Sequence, residues 1–451
     1  MLAFLLVLAQ AAAPAPKGLT LRELQEAARK NDPRVRQAVA QLENAHGKRD
    51  EADWAFFPNF QTTAYVAGPT QEHRLAGGDN GDPRLLTPGS TGGLFHGEQG
   101  VTAHAEVQAI LPIWTFGKLT AGKSAARHLV DATEALLQRA RDQAAFDVAR
   151  AYWGYQTARN ADDTVQKVRD RLAEAKKTAD KLLAEKSEQI SKSDSMKIDY
   201  LAEEIEAQHA SALKNRDLAL TGLRLLVGVE PGKELPVAQQ DLPPAPQAPN
   251  PDELLRRALE QRPETRAANE AVAARQALVD LEKGRFWPDL GLVGGVKFTE
   301  TTNASSPPSP FLYNPYHDAS GYIALGLQGT FDIPQKLARL RQAEADLHEA
   351  QALQIGAQQL VRLDVQQALG DLAEARVKVD RYTKESQIGK QLATQAGVAF
   401  DSGLGEAREL LEDTLLYTRA EGARLEALYA AQLAWAALEK AAGGTLEVAG
   451  R

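Results

Sequence analysis

The sequence predicts a mixed fold: short membrane-crossing β strands joined to very long α helices packed as coiled coils, the whole plan written twice in one chain. Three observations carry this. A stretch near the start returns about halfway along, four segments alternate apolar and polar residues over the length of a tilted membrane strand, and proline-free helical runs far exceed ordinary globular helices.

The repeat is the strongest of the three. "NDPRVRQAVAQLENAHGKRDEADWAFFPNF" at 31–60 matches "QRPETRAANEAVAARQALVDLEKGRFWPDL" at 261–290, an offset of 230. Pro33 and Pro263 each stand near the opening of a helix, and Pro58 and Pro288 each follow an aromatic pair 25 positions later. Further on, "LPIWTFGKL" at 111–119 answers "FDIPQKL" at 331–337.

Taken in chain order, residues 1–13, "MLAFLLVLAQAAA", read as a secretory signal, an apolar core followed by small residues that satisfy A-x-A at Ala11 to Ala13. The first repeat is expected over 14–249, with strands at about 59–67 and 101–110, a helical hairpin over about 118–227 and a linker at 228–249. The second is expected over 250–451, with strands at about 289–298 and 321–331 and a hairpin over about 336–441. Alternation defines the strands: Val101, Ala103, Ala105, Val107 and Ala109 share one face, and Thr102, His104, Glu106 and Gln108 the other. Trp54, Phe57, Trp114, Trp287 and Tyr322 fall at segment ends, where an aromatic girdle would sit.

From about Lys118 to Lys186 no proline interrupts, and Leu129, Leu136, Phe146, Ala149, Tyr152 and Trp153 recur at helical spacing. Helices of roughly 100 Å must pack side by side. Four strands are also too few to close, since membrane barrels need about eight or more, so the chain requires an oligomer. The alternative from the residues alone is a periplasmic coiled-coil scaffold that never enters the membrane.

Composition excludes several other classes. With 43% hydrophobic and 25% charged residues the 451-residue chain is built to fold, and a formal charge of -8 leaves no basic footprint for nucleic acid. Zero cysteines exclude disulfides, thiolate metal sites and lipid attachment to cysteine. His73, His96 and His104 make no metal-binding spacing, so neither a metal nor any cofactor is expected. One motif competes: "GKLTAGKS" at 117–124 spells G-x-x-x-x-G-K-[ST], a phosphate loop. The strand before it alternates, whereas a phosphate-loop strand is buried on both faces, and the second repeat makes the same junction without the motif. Coincidence is the better reading, and no enzyme activity is expected.

In this order and spacing, "LTLRELQEAARKNDPRVRQAVAQLENA", the aromatic-proline entries, "LPIWTFGKL", "FDIPQKLARLRQAEA" and "SGLGEARELLEDTLLYTRAEGARLEALYAAQLAWAALEKAAG" resemble the outer membrane efflux protein family, the TolC-like channels. The resemblance implies a homotrimer in outer membrane lipid, four strands per chain forming a twelve-stranded barrel, with a helical barrel across the periplasm. It also implies passive export, served by a periplasmic adaptor (membrane fusion) protein and an inner membrane pump. Glu409 and Glu412 match pore-facing acids at the periplasmic gate, Phe400 a gate aromatic, and Asp194 is the acidic counterpart in the first hairpin. Gly403, Leu404 and Gly405 match an adaptor-contact tip; at the first tip Glu188 stands where family members often have glycine.

Overall fold

A computed structural model of the chain describes residues 18–72, 98–185, 190–230, 232–302 and 316–446. The expected signal at 1–13 and the expected tip residue Glu188 lie outside the described residues.

Each repeat contains two shorter helices, two strands and a long hairpin. The first has α1 (Leu21–Asn31), α2 (Pro33–Trp54), β1 (Asn59–Glu72), β2 (Glu98–Trp114), α3 (Lys118–Ala184) and α4 (Lys192–Val227). The second has α5 (Pro251–Gln261), α6 (Pro263–Gly284), β3 (Asp289–Thr301), β4 (His317–Gln328), α7 (Ile333–Asp401) and α8 (Ala407–Ala441). Equivalent helices agree closely in length: 11 and 11 residues for α1 and α5, 22 and 22 for α2 and α6, 67 and 69 for α3 and α7.

Local chemistry sets the boundaries. Thr20 and Glu23 form a reciprocal capping box that starts α1. Pro33 and Pro263 open α2 and α6, positions where proline's missing N–H costs nothing. Pro58 and Pro288 immediately precede β1 and β3. The strands run beyond their expected ends, except at β4, which starts earlier than 321 and stops at Gln328, leaving Phe331 outside it. Gly329 ends the pairing, followed three residues later by Asp332, which accepts from Thr330 Oγ1 at 2.8 Å as α7 begins.

The described residues fall into two compact units. One, within Ala45–Leu129 and Val272–Glu349, holds the sheet and the helix segments that enter and leave it. The other, within Met1–Asn44, Val130–Ala271 and Ala350–Arg451, is helical. Its larger core gathers Leu24, Val35, Val148, Tyr152, Leu223, Leu254, Leu372 and Leu438 from seven different helices and both repeats. A second cluster, with Leu172, Ile198, Ile205, Phe400 and Leu410, lies toward the hairpin ends.

The linker expected at 228–249 is strapped onto the helical core. Leu19 N–H donates to Pro236 O at 2.7 Å, and Ala238 N–H donates to Leu19 O at 3.0 Å. Gln156, fully buried on α3, donates to Ala238 O at 2.6 Å and accepts from Gln240 N–H at 3.2 Å. A buried amide left unpaired would be costly, so the strap's backbone is part of the core's polar accounting. Leu235, Leu242 and Ala245 complete the attachment by burial.

Candidate functional site

The second hairpin turns through a Schellman motif. Gly403, with φ of 72°, donates its N–H to Phe400 O at 3.1 Å, and Leu404 N–H donates to Ala399 O at 2.9 Å. The left-handed backbone explains Gly403, whereas crowding explains Gly405: a Cβ there would lie 2.8 Å from Ala399 Cβ. Such motifs often fold the residue after the glycine back onto the helix. Here Leu404 projects instead, 89% exposed.

Just past the turn, Glu409 and Glu412 are exposed on the first turns of α8. Arg408 pairs with Glu412 at 3.2 Å, a partner the sequence reading missed although the i,i+4 spacing was there to see. Phe400 lies elsewhere: it is 2% exposed and packed in the cluster with Ile198, Leu410 and Leu411. Asp194 forms a capping box, accepting from Ser191 Oγ at 2.6 Å and from Ser191 N–H at 3.2 Å. Those bonds from Ser191, aided by Lys197, hold its carboxyl below the usual range. Of the expected gate residues, the fold therefore brings Glu409 and Glu412 to the surface together, while Phe400 and Asp194 support the helix ends.

Two unforeseen cations on α3 tie it to other helices, one across to the second hairpin and one within the first. Arg171 on α3 donates to Gly397 O at 2.9 Å and pairs with Asp401 at 2.9 Å, both on α7. Gly397 permits this approach, since a Cβ would lie 3.0 Å from the guanidinium nitrogen. Lys176 on α3 reaches Asp199 on α4 at 2.7 Å.

The phosphate-loop spelling is resolved by the backbone. Gly117 turns the chain with φ of 85°, α3 starts at Lys118, and Ala121 N–H already donates to Gly117 O at 2.8 Å. Gly122, Lys123 and Ser124 are helical, so their amides are engaged and cannot cradle an anion. Lys123 pairs with Asp53 at 2.8 Å and holds that carboxyl below its ordinary range.

In the sheet unit the strand order is β1-β2-β3-β4, all antiparallel, leaving β1 and β4 as edges. Registered neighbours separate two faces. Phe60, Val66, Val107, Val296, Phe298, Ile323, Leu325 and Leu327 form an exposed apolar face, Ile323 at 81% exposure. The opposite face carries Gln61, Thr63, Tyr65, Thr102, His104, Glu106, Gln108, Lys297 and Thr299. Tyr322 belongs there, not in the expected girdle: it lies within β4, covers Gly295, and accepts from Gln108 Nε2 at 2.8 Å. The other expected aromatics do gather at the helix-proximal strand ends, joined by Phe116, which stacks on Trp287 at 5.4 Å and meets Trp114 edge-on at 6.1 Å. Strands of 12 to 17 residues are long enough to cross a bilayer at a tilt of about 45°. No described helix is long and apolar enough to do so.

A four-stranded sheet with an exposed apolar face, edges unpaired among the described residues and helical hairpins of this length defines an outer membrane channel protein. The chain belongs to the outer membrane efflux protein family, whose family model matches residues 24–229 and 254–444. A search of curated proteins finds no match. Among solved structures it is similar to the outer-membrane channel OprN, with 21% identity and a TM-score of 0.75 over 94% of this chain and 90% of that one. It is similar to VceC of Vibrio cholerae at 18% identity and a TM-score of 0.74, covering 95% and 97%. The open state of Neisseria gonorrhoeae MtrE matches at 21% identity and a TM-score of 0.72, covering 94% and 89%. At these identities the likeness is one of fold. The family is one of non-enzymatic channels, and the protein resides in the outer membrane with a large periplasmic helical part.

Proposed function

We propose that three copies close a twelve-stranded barrel in outer membrane lipid and export solutes passively, receiving them from an inner membrane pump through a periplasmic adaptor. The observation that carries this is the sheet: among the described residues β1 and β4 have unpaired edges, and an apolar face of large side chains is left exposed on one protomer. Unpaired backbone groups are not tolerated in hydrocarbon, so each edge must find a strand from another copy. A soluble periplasmic scaffold would leave that face in water, which disfavours the alternative.

In this reading Glu409 and Glu412 narrow the periplasmic entrance, with Arg408 partly offsetting the second. Phe400 and Asp194 act there as positioning residues. Gly403, Leu404 and Gly405 offer the adaptor an apolar tip, and Glu188 gives the first tip a charged one. Carboxylates repeated around a three-fold axis concentrate negative potential and favour cations. Planar-bilayer recording tests the assignment: Glu409→Ala combined with Glu412→Ala should raise conductance or weaken cation preference. Identical conductance and selectivity would remove these residues from the gate, and absence of any conductance from the unaltered protein would remove the channel reading.

A further inference from the structure

The polar face of the sheet carries its mid-strand charges in two adjacent rows. In register across the strands, Thr63, Glu106, Lys297 and Ser320 form one row, and Tyr65, His104, Thr299 and Asp318 the next on the same face. Lys297 Nζ lies 2.6 Å from Asp318 Oδ2, bridging the two rows, and Glu106 is the direct cross-strand neighbour of Lys297. His104 extends the belt: its Nε2 is 3.7 Å from Glu106 Oε2, its Nδ1 is 2.8 Å from Thr299 Oγ1, and its ring stacks on Tyr65 with centroids 4.8 Å apart. The rows on either side hold no charge. Gln61, Gln108, Gly295 and Tyr322 lie toward the helices, and Ala67, Thr102 and Thr301 lie away from them.

We propose that this belt is a second ion-selectivity element of the channel, set at membrane level, in which Lys297 limits the cation preference created by Glu106 and Asp318. The inference rests on the channel reading above, which places this face in the lumen. Among Glu106, Asp318 and Lys297, two carboxylates and one ammonium leave one net negative charge per chain, and so three around a closed barrel. The Asp318 side chain is only 15% exposed even in the single protomer, so water screens these charges incompletely. A charged ring between uncharged rows, backed by a low-dielectric wall, focuses its field on the pore axis. The belt selects by charge among small ions and makes no claim on larger cargo.

Reversal potentials under a potassium chloride gradient test this, recorded with Glu409→Gln and Glu412→Gln in the background to remove the periplasmic acids. Thr63→Lys places an ammonium in the same row as Glu106 on edge strand β1 and loses no charged partner. It should lower the potassium-to-chloride permeability ratio by roughly twofold or more. Lys297→Gln should raise that ratio and Glu106→Gln lower it. Channels that conduct but show one ratio across all three variants overturn the belt while leaving the channel intact. A background protein that forms no channel overturns the channel reading and the belt with it.

Discussion

At the corner between α1 and α2 the residue before the proline is Asp32, whereas at the matching corner between α5 and α6 it is Arg262. Both are buried, 1% and 5% exposed. Asp32 accepts from Arg34 N–H at 2.8 Å, capping α2, and pairs with the Arg34 guanidinium, which continues to Asp147 on α3 at 2.8 Å. Arg262 has no acceptor and cannot cap. It reaches Asp364 on α7 at 2.7 Å directly and is bracketed by Glu264, whose position in the first turn of α6 suits the helix dipole. The corner thus requires an arginine that holds an aspartate on the long helix and an acid at the start of the shorter one. Their order along the chain is free, so each repeat has the other's charges reversed.

That comparison can be broken from either side. The largest expected effect is Arg262→Ala, which removes a buried guanidinium from half-exposed Asp364 and from Glu264, the latter keeping Arg139 at 3.3 Å, and should cost about 2 kcal/mol. Thermal unfolding followed by helix circular dichroism would measure it. A loss below about 1 kcal/mol would show that the second corner is held by packing alone.

Asp32→Asn should cost less, about 1 kcal/mol, because the amide oxygen still accepts from Arg34 N–H. Its sharper signature is pH dependence. Burial pushes the Asp32 carboxyl up, but the bonds from Arg34 outweigh it and hold the group below its ordinary value. A depressed folded pKa contributes stability above the unfolded value of about 3.9, and that stability disappears as pH falls through the folded value. The unaltered protein should therefore lose more stability on acidification than Asp32→Asn. Parallel profiles would show that the corner's charge is energetically idle. No matching acid-side loss arises from Arg262, which stays charged throughout.

Much of this was legible in the sequence because the signals are local and repeated. Prolines at matched spacing mark the corners and strand entries, alternation marks the sheet faces, and Gly403 marks a left-handed turn. Ser191 and Asp194, three apart, already had the form of a capping box. What escaped depends on partners distant in the chain. Arg171 with Gly397, Lys123 with Asp53, and Gln156 with the strap have no local pattern to announce them. Tyr322 was legible by parity, sharing its face with Ser320 and Asp318, but aromatic character suggested a membrane rim instead. Phe400 shows the reverse: the family resemblance suggested the gate, and helical phase turned its side chain into the cluster between hairpins.

Everything proposed for transport depends on strands from different copies meeting edge to edge. Because the chain has no native cysteine, a thiol placed in β1 at Thr62 and another in β4 at Ala319, Gly321 or Ile323 in turn would be the only reactive groups present. Treating outer membranes with a short thiol crosslinker and resolving the products under denaturing conditions should give, for at least one pairing, a ladder that stops at the covalent trimer. Monomer alone for every pairing, or a ladder continuing past three, would contradict a closed three-chain barrel.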